Sequence, residues 1–294
     1  MALEETMRSI LQVISTIWTE NAGMDRFVFL FHAIVWQIRK RSGHSFVTRL
    51  ANGANLKVYP HTAFSGAFYT RWIEKKDLLF IRAHADLAPT FVDVGANTGL
   101  FSASLFDKFS QFVMIEPMRE CFIALRQTCA LNPSIQCEFV NIAVSDRSGV
   151  ASFLDEGNFS TTSRIVDVLK VQQPEIRSVA VETLDQLLRE RKEELIVKVD
   201  VEGHEEQVIR GAHQLFRAGK IKLLMFERLG RTNIDNILKF LAGVNYVIFF
   251  VREDGTITFD AVMLRKPLIN LFACSRAVLP CILKRENLGT PESW

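Results

Sequence analysis

Apolar positions along the chain change spacing near residue 90. Before it, Leu3, Met7, Ile10, Leu11, Ile14 and Ile17 recur at helical intervals, and residues 21–23 break the run. Residues 27–36 are then apolar nearly all round and are followed by Arg39-Lys40-Arg41. Residues 51–89 mix short strand-like pieces with a helix expected over 68–79. From residue 91 short apolar runs alternate with helical stretches. The pattern predicts strands over 91–94, 112–115, 139–144, 195–199 and 221–226, and helices over 101–106, 118–131, 205–216 and 234–241. Residues 150–154 are expected to return as a hairpin after the turn at 146–149, and Thr183 to cap a short helix reaching Arg189. Residues 246–251, the Asp254-Gly255 turn and residues 256–264 predict a closing antiparallel hairpin.

Strands alternating with helices predict an α/β fold with a doubly wound, mostly parallel sheet. The expected organisation is a helical extension over 1–50, a lead-in segment over 51–89, the main domain over 90–266 and a tail over 267–294. Residues 155–177 are polar and irregular, and 158–163 read as a lid over a site.

Composition narrows the function classes. The chain has 294 residues, enough for one large domain with additions. A net charge of +2 gives no general argument for nucleic acid as a partner. Five cysteines without a C-x-x-C pair read as reduced thiols in a cytoplasmic protein and argue against a cysteine-built metal site. No apolar run reaches the length of a membrane span, and no secretory leader is evident. Two readings of residues 27–41 stay open. One is an interfacial helix with a basic flank in peripheral contact with a membrane; the other is a buried helix or one that pairs in a homo-oligomer.

The densest candidate chemistry lies at strand ends, where open α/β sheets bind ligands. The run TFVDVGANTGLF, residues 90–101, reads as strand, glycine turn and helix. Gly95 and Gly99 supply backbone freedom, Asn97 replaces a middle glycine, and Asp93 precedes the turn. Leu100 stands where a dinucleotide fingerprint needs its last glycine, which disfavours an NAD oxidoreductase. The pattern suits S-adenosylmethionine, whose amino group Asp93 or the loop carbonyls can meet. Glu116 ends the second strand at the spacing of a ribose-binding acid. Asn141 and Ala143 close the third strand, at the expected adenine edge. The cluster VDVEGHE, residues 199–205, faces the methyl group, with His204 as general base and Asp200 orienting the acceptor. Asp200 and Glu227 are weak candidates for a divalent cation. Tyr69, Trp72 and Glu74 are placed to reach the amino-acid end of a ligand or to pack the lead-in segment.

The runs FVDVGANTGLFS and KVDVEGHEEQVIRGA, with ETLDQLL at Glu182 and the Phe226-Glu227 pair, resemble the FkbM family of methyltransferases. The resemblance covers about residues 50–266. It implies a class I methyltransferase fold with a seven-stranded sheet, S-adenosylmethionine as donor and an oxygen acceptor. By that likeness Asp93, Gly95, Asn97 and Gly99 match the cofactor loop, Glu116 the ribose acid, and Asp200, Glu202, Gly203 and His204 the second motif. The expected function is O-methylation of a hydroxyl on a sugar of a glycolipid, polysaccharide or glycoside. The alternatives are a macrolide or polyketide acceptor, or a SAM-binding protein without catalysis.

Overall fold

The computed structural model describes residues 11–19, 21–60, 74–154, 164–165, 176–230, 232–267 and 269–286. Residues 11–19 are helical (α1), and α2 (Asp25–Ser42) follows, ended by Gly43 in the left-handed region. β1 (Phe46–Arg49) and β2 (Asn55–Val58) pair as an antiparallel hairpin. The helix expected over 68–79 is seen as α3 (Lys75–Ala83); residues 68–73 lie outside the described residues.

The regular alternation then begins with β3 (Thr90–Val94), α4 (Leu100–Ala103), β4 (Gln111–Ile115), α5 (Arg119–Ala130) and β5 (Gln136–Val140). The third strand stops earlier than its apolar pattern suggests. Asn141 leaves the sheet, and its amide nitrogen donates to the carbonyls of Glu116 (2.7 Å) and Pro117 (3.1 Å). Residues 143–144 form a separate short strand, β6 (Ala143–Val144), in a second sheet. That sheet also holds β7 (Gly149–Leu154), β8 (Arg164–Ile165) and β9 (Ile176–Glu182), in the order β6-β9-β7-β8. The expected return over 150–154 is β7, paired antiparallel with β8 and β9. The lid expected over 158–163 lies outside the described residues.

α6 (Leu184–Leu187) starts at Thr183, whose hydroxyl accepts from the Gln186 amide as a cap should. β10 (Leu195–Val199) is buried along its whole length. The helix expected over 205–216 is two helices, α7 (Glu205–Arg210) and α8 (His213–Arg217). The break has a packing cause: a Cβ on Gly211 would sit 2.0 Å from the Ser145 carbonyl oxygen, so the helix turns where two backbones touch. β11 (Ile221–Arg228), α9 (Ile234–Gly243) and β12 (Tyr246–Val251) follow.

The end of the chain corrects the expected hairpin. β13 (Ile257–Thr258) pairs with β12 over only two residues, because Asp260 accepts from the amides of Val262 and Met263 and starts α10 (Ala261–Arg265). The long antiparallel strand is β14 (Ile269–Ser275), inside the segment expected to be a tail. It lies between β11 and β12 and pairs antiparallel with both. α11 (Leu279–Glu286) then packs Ile282 into the core.

The main sheet has the order β13-β12-β14-β11-β10-β3-β4-β5. β5, β4, β3, β10 and β11 run parallel. Alternate side chains feed two cores, one per face. Phe91, Phe112, Met114, Ile196 and Met225 enter one; Val92, Val94, Val197, Leu224 and Phe226 enter the other. Covering both faces buries the central strands and leaves their C-terminal ends as the open edge for a ligand.

Candidate active site

The C-terminal ends of β3, β4, β10 and β11 surround a cavity of about 300 Å³. One wall is the turn after β3. Gly95 has φ +79°, and a Cβ there would lie 1.9 Å from the Asp200 carbonyl oxygen, so only glycine fits. Asn97 holds φ +50°, a conformation asparagine tolerates. Every backbone N–H of this turn has an acceptor within the protein. Gly95 and Ala96 donate to the Ile115 carbonyl (3.0 and 3.1 Å), and Gly99 to the Ala96 carbonyl (2.9 Å). Asn97 donates to Glu116 Oε2 (2.8 Å), and Thr98 to Asn97 Oδ1 (2.8 Å). The turn therefore offers no free amides for a phosphate.

Gly95, Asn97, Glu116 and Ala143 line the cavity. Asp93, Gly99 and Asn141 do not; they hold the residues that do. Gly99 turns towards Leu125 of α5, whose Cδ1 would be 2.5 Å from an added Cβ. Asn141 ties the end of β5 to the β4 turn through the two bonds given above. Asp93 is fully buried, accepts from Ser102 Oγ (2.6 Å) and meets Lys198 Nζ at 3.3 Å.

Lys198 is the residue that sequence reasoning missed. It is buried in β10 directly beside Asp93 in the parallel register, and its Nζ also reaches Asp200 Oδ2 (3.2 Å). Its ammonium lies over the Phe101 ring at 5.3 Å. Burial would depress a lysine's pKa, but Asp200, Asp93 and Glu74 outweigh it and hold the group above its ordinary value. The signal was present: a lysine and an aspartate interrupt two apolar strands at equivalent positions.

The other wall comes from the ends of β10 and β11. Asp200, Glu202, His204 and Glu227 all line the cavity. Glu202 and Gly203 both take positive φ, 57° and 96°, which folds the 200–204 turn back over the site. Buried Glu205 braces this turn, accepting from the Gly203 amide (2.8 Å) and from the Thr232 hydroxyl (3.1 Å). His204 Nε2 lies 2.9 Å from Ser145 Oγ, and Ser145 donates its one proton to Asp146 Oδ1 (3.2 Å). Burial lowers the imidazole pKa, opposed by Asp146, so the ring is neutral near pH 7.

Acids dominate the cavity. Burial pushes the Glu116 carboxyl up to about 7 despite its bonds from the Met118 and Asn97 amides. Glu74 reaches the cavity from the N-terminal end of α3, accessible to its solvent yet hemmed by protein. Burial, with Asp200 and Asp77 adding to it, raises this carboxyl to about 7. Glu227 is raised to about 8 by burial and by Asp200, Glu202 and Glu205. One carboxylate oxygen each from Asp200, Glu202 and Glu227 lies within 4.8 Å of the others, an all-oxygen set of the kind hard divalent cations take. Glu202 thus joins the two residues singled out in the sequence. Tyr69 and Trp72 lie outside the described residues.

A parallel sheet flanked by one inserted antiparallel strand, with a glycine turn after the first core strand and an acid ending the second, is a class I methyltransferase fold. The chain belongs to the FkbM methyltransferase family: residues 93–248 match its methyltransferase FkbM domain. No functionally curated protein matches the chain. Among solved structures it is similar to a ribosomal protein L11 methylase from Lactobacillus delbrueckii subsp. bulgaricus, at 13% identity over 70% of this chain and 80% of that one, with a TM-score of 0.37. It is also similar to magnesium protoporphyrin IX methyltransferase from Synechocystis PCC 6803, solved with bound SAM, at 13% identity, 69% and 78% coverage and a TM-score of 0.37. A tRNA (uracil-54, C5)-methyltransferase from Pyrococcus abyssi, in complex with S-adenosyl-L-homocysteine, gives 13% identity, 78% and 43% coverage and a TM-score of 0.40. These likenesses are partial; the class rests on strand order and family.

Proposed function

We propose that the protein is an S-adenosylmethionine-dependent O-methyltransferase acting on a sugar hydroxyl. The observation that carries this reading is the pairing of a turn whose amides are all spoken for with a cavity lined by five acids, Glu74, Glu116, Asp200, Glu202 and Glu227. Among the described residues the one cation in the lining, Lys198, is already paired with Asp93 and Asp200, so the acids that remain repel phosphates and attract a cation. S-adenosylmethionine, when bound, supplies an electrophilic methyl group on a positively charged sulfur.

The residues present fit that donor. Glu116 keeps lone pairs beyond its two amide bonds and can accept from both ribose hydroxyls. Ala143, with Ile142 and Val144, lines the cavity where an adenine edge belongs. Glu74 and the 95–97 part of the turn line the side of the cavity left for the amino-acid end. The acceptor's hydroxyl lies against the other wall. The carboxylate oxygens of Asp200 and Glu202 line this wall and can accept from neighbouring hydroxyls of a polyol. Glu227, with its raised pKa, holds its proton at neutral pH and donates one bond. As the acceptor oxygen bonds to the methyl carbon, the carbon–sulfur bond would break with its electron pair left on the departing thioether, and His204 would take the hydroxyl proton while Ser145 steadies the ring.

Incubation of the purified chain with radiolabelled S-adenosylmethionine and a panel of glycosides, glycolipids and polyketide alcohols tests this directly. Label on a sugar oxygen is the expected result. Label only on polyketide alcohols overturns the acceptor, and donor binding with no transfer to any hydroxyl overturns the enzymatic reading.

A further inference from the structure

The N-terminal helices carry an apolar face that the rest of the described chain does not cover. α2 buries Ala33 and Trp36 on one side. On the other, Phe27, Phe31, Ile34 and Ile38 are 58, 64, 53 and 64% exposed. Their spacing puts all four in one stripe along the helix. α1 presents a second stripe, with Leu11, Ile14 and Trp18 exposed at helical intervals. The two stripes meet: the Trp18 and Phe27 rings lie 6.0 Å apart, edge to face. Scattered exposed apolar residues are ordinary on a monomer, whereas a joined aromatic and aliphatic surface marks an interaction site.

Charge identifies the partner. Between residues 11 and 49 the chain has five Lys or Arg against two acids. Arg39, Lys40 and Arg41 close α2 at the end of the stripe. Arg39 lies over the Phe46 ring. Among the described residues, Lys40 and Arg41 have no acidic partner. A second copy of the chain suits this surface poorly: the first turn of its α2 offers the single acid Asp25, next to Arg26. An anionic bilayer supplies both apolar depth and many negative headgroups. No described helix is long and apolar enough to cross a membrane, so the face lies on the surface.

We infer that α1 and α2 dock the protein onto an anionic membrane surface, with the Leu11, Ile14, Trp18, Phe27, Phe31, Ile34 and Ile38 face in the headgroup layer and Arg39–Arg41 on lipid phosphates. This stands apart from the reading of the cavity and uses none of its residues.

Flotation of the full chain with vesicles of phosphatidylcholine, with or without phosphatidylglycerol, tests it. The chain floats with the anionic vesicles, the Trp18 contribution to fluorescence shifts to the blue, and neutral vesicles bind far less. Substituting Phe31→Ser with Ile34→Ser weakens binding more than tenfold without unfolding, because both side chains are already exposed. Substituting Lys40→Gln with Arg41→Gln weakens it roughly 30-fold, as about 1 kcal/mol per lost cation implies. The inference is overturned if neither vesicle binds, if neutral and anionic vesicles bind alike, or if the Phe31→Ser, Ile34→Ser variant binds as the parent does. It is equally overturned if the parent is a dimer that this pair of substitutions converts to a monomer.

Discussion

The wall formed by the β3 turn and the end of β4 is backbone whose amides are fixed by carbonyls and two side-chain oxygens, whereas the wall at the ends of β10 and β11 is side chains held by charge. In the first, Gly95 fits against the Asp200 carbonyl and the turn's amides are fixed on Ile115 and Glu116. In the second, Lys198 anchors Asp93 and Asp200, while Glu202 and Glu227 crowd the same space. The contrast suits the proposed division of labour. A donor common to many acceptors is met by rigid backbone, and the reacting hydroxyl is met by groups that can exchange protons.

Gly95→Ala breaks the first wall and carries the largest expected effect. A methyl group against a carbonyl oxygen, at a φ alanine avoids, costs roughly 3 kcal/mol or more. Urea unfolding should show a folded state at the edge of stability, and a near-parental transition would mean the turn is not packed as described. Lys198→Ala breaks the second wall by leaving Asp93 buried without its cation, at a cost of about 3–5 kcal/mol. The double variant with Asp93→Ala should recover part of that loss in a double-mutant cycle. His204→Gln sharpens the distinction between the walls. Turnover should fall about 10²- to 10⁴-fold while donor affinity is kept; equal loss of both would move His204 to the donor side.

The smallest effect is in pH. Glu116 has a folded pKa near 7 against an ordinary 4.5, so the folded protein binds its proton more tightly than the unfolded chain. Stability from this group is therefore full below about 4.5 and declines as pH rises towards 7. Glu227 extends the decline to about 8. The apoprotein should melt several degrees lower at pH 8 than at pH 6. A cationic donor favours the ionised carboxyls, so its affinity should rise over the same interval. A melting temperature that rises with pH would contradict the assigned burial.

The backbone wall was legible in the sequence because glycine spacing encodes local geometry. Gly95, Asn97, Glu116, Asp200 and His204 all reach the cavity. The side-chain wall was legible only in part. Asp93 read as a ligand group, yet the parallel register turns it inward onto Lys198. Glu74 and Glu227 come together with Asp200 only through the fold. The same limit applies to the sheet. Residues 256–264 and 269–275 are both plausible strands by pattern, but local periodicity does not say which one inserts beside β11. Asp260 decides it by capping α10 and cutting the first candidate short.

Calorimetric titration of S-adenosylhomocysteine into the parent and into Glu116→Gln reads whether the donor sits against the end of β4. One site per chain is expected, with at least about tenfold weaker binding in the variant, since a hydrogen bond to a charged group is worth about 1.5–3 kcal/mol. No heat with the parent, or equal affinity in both proteins, would contradict the placement of the donor in this cavity.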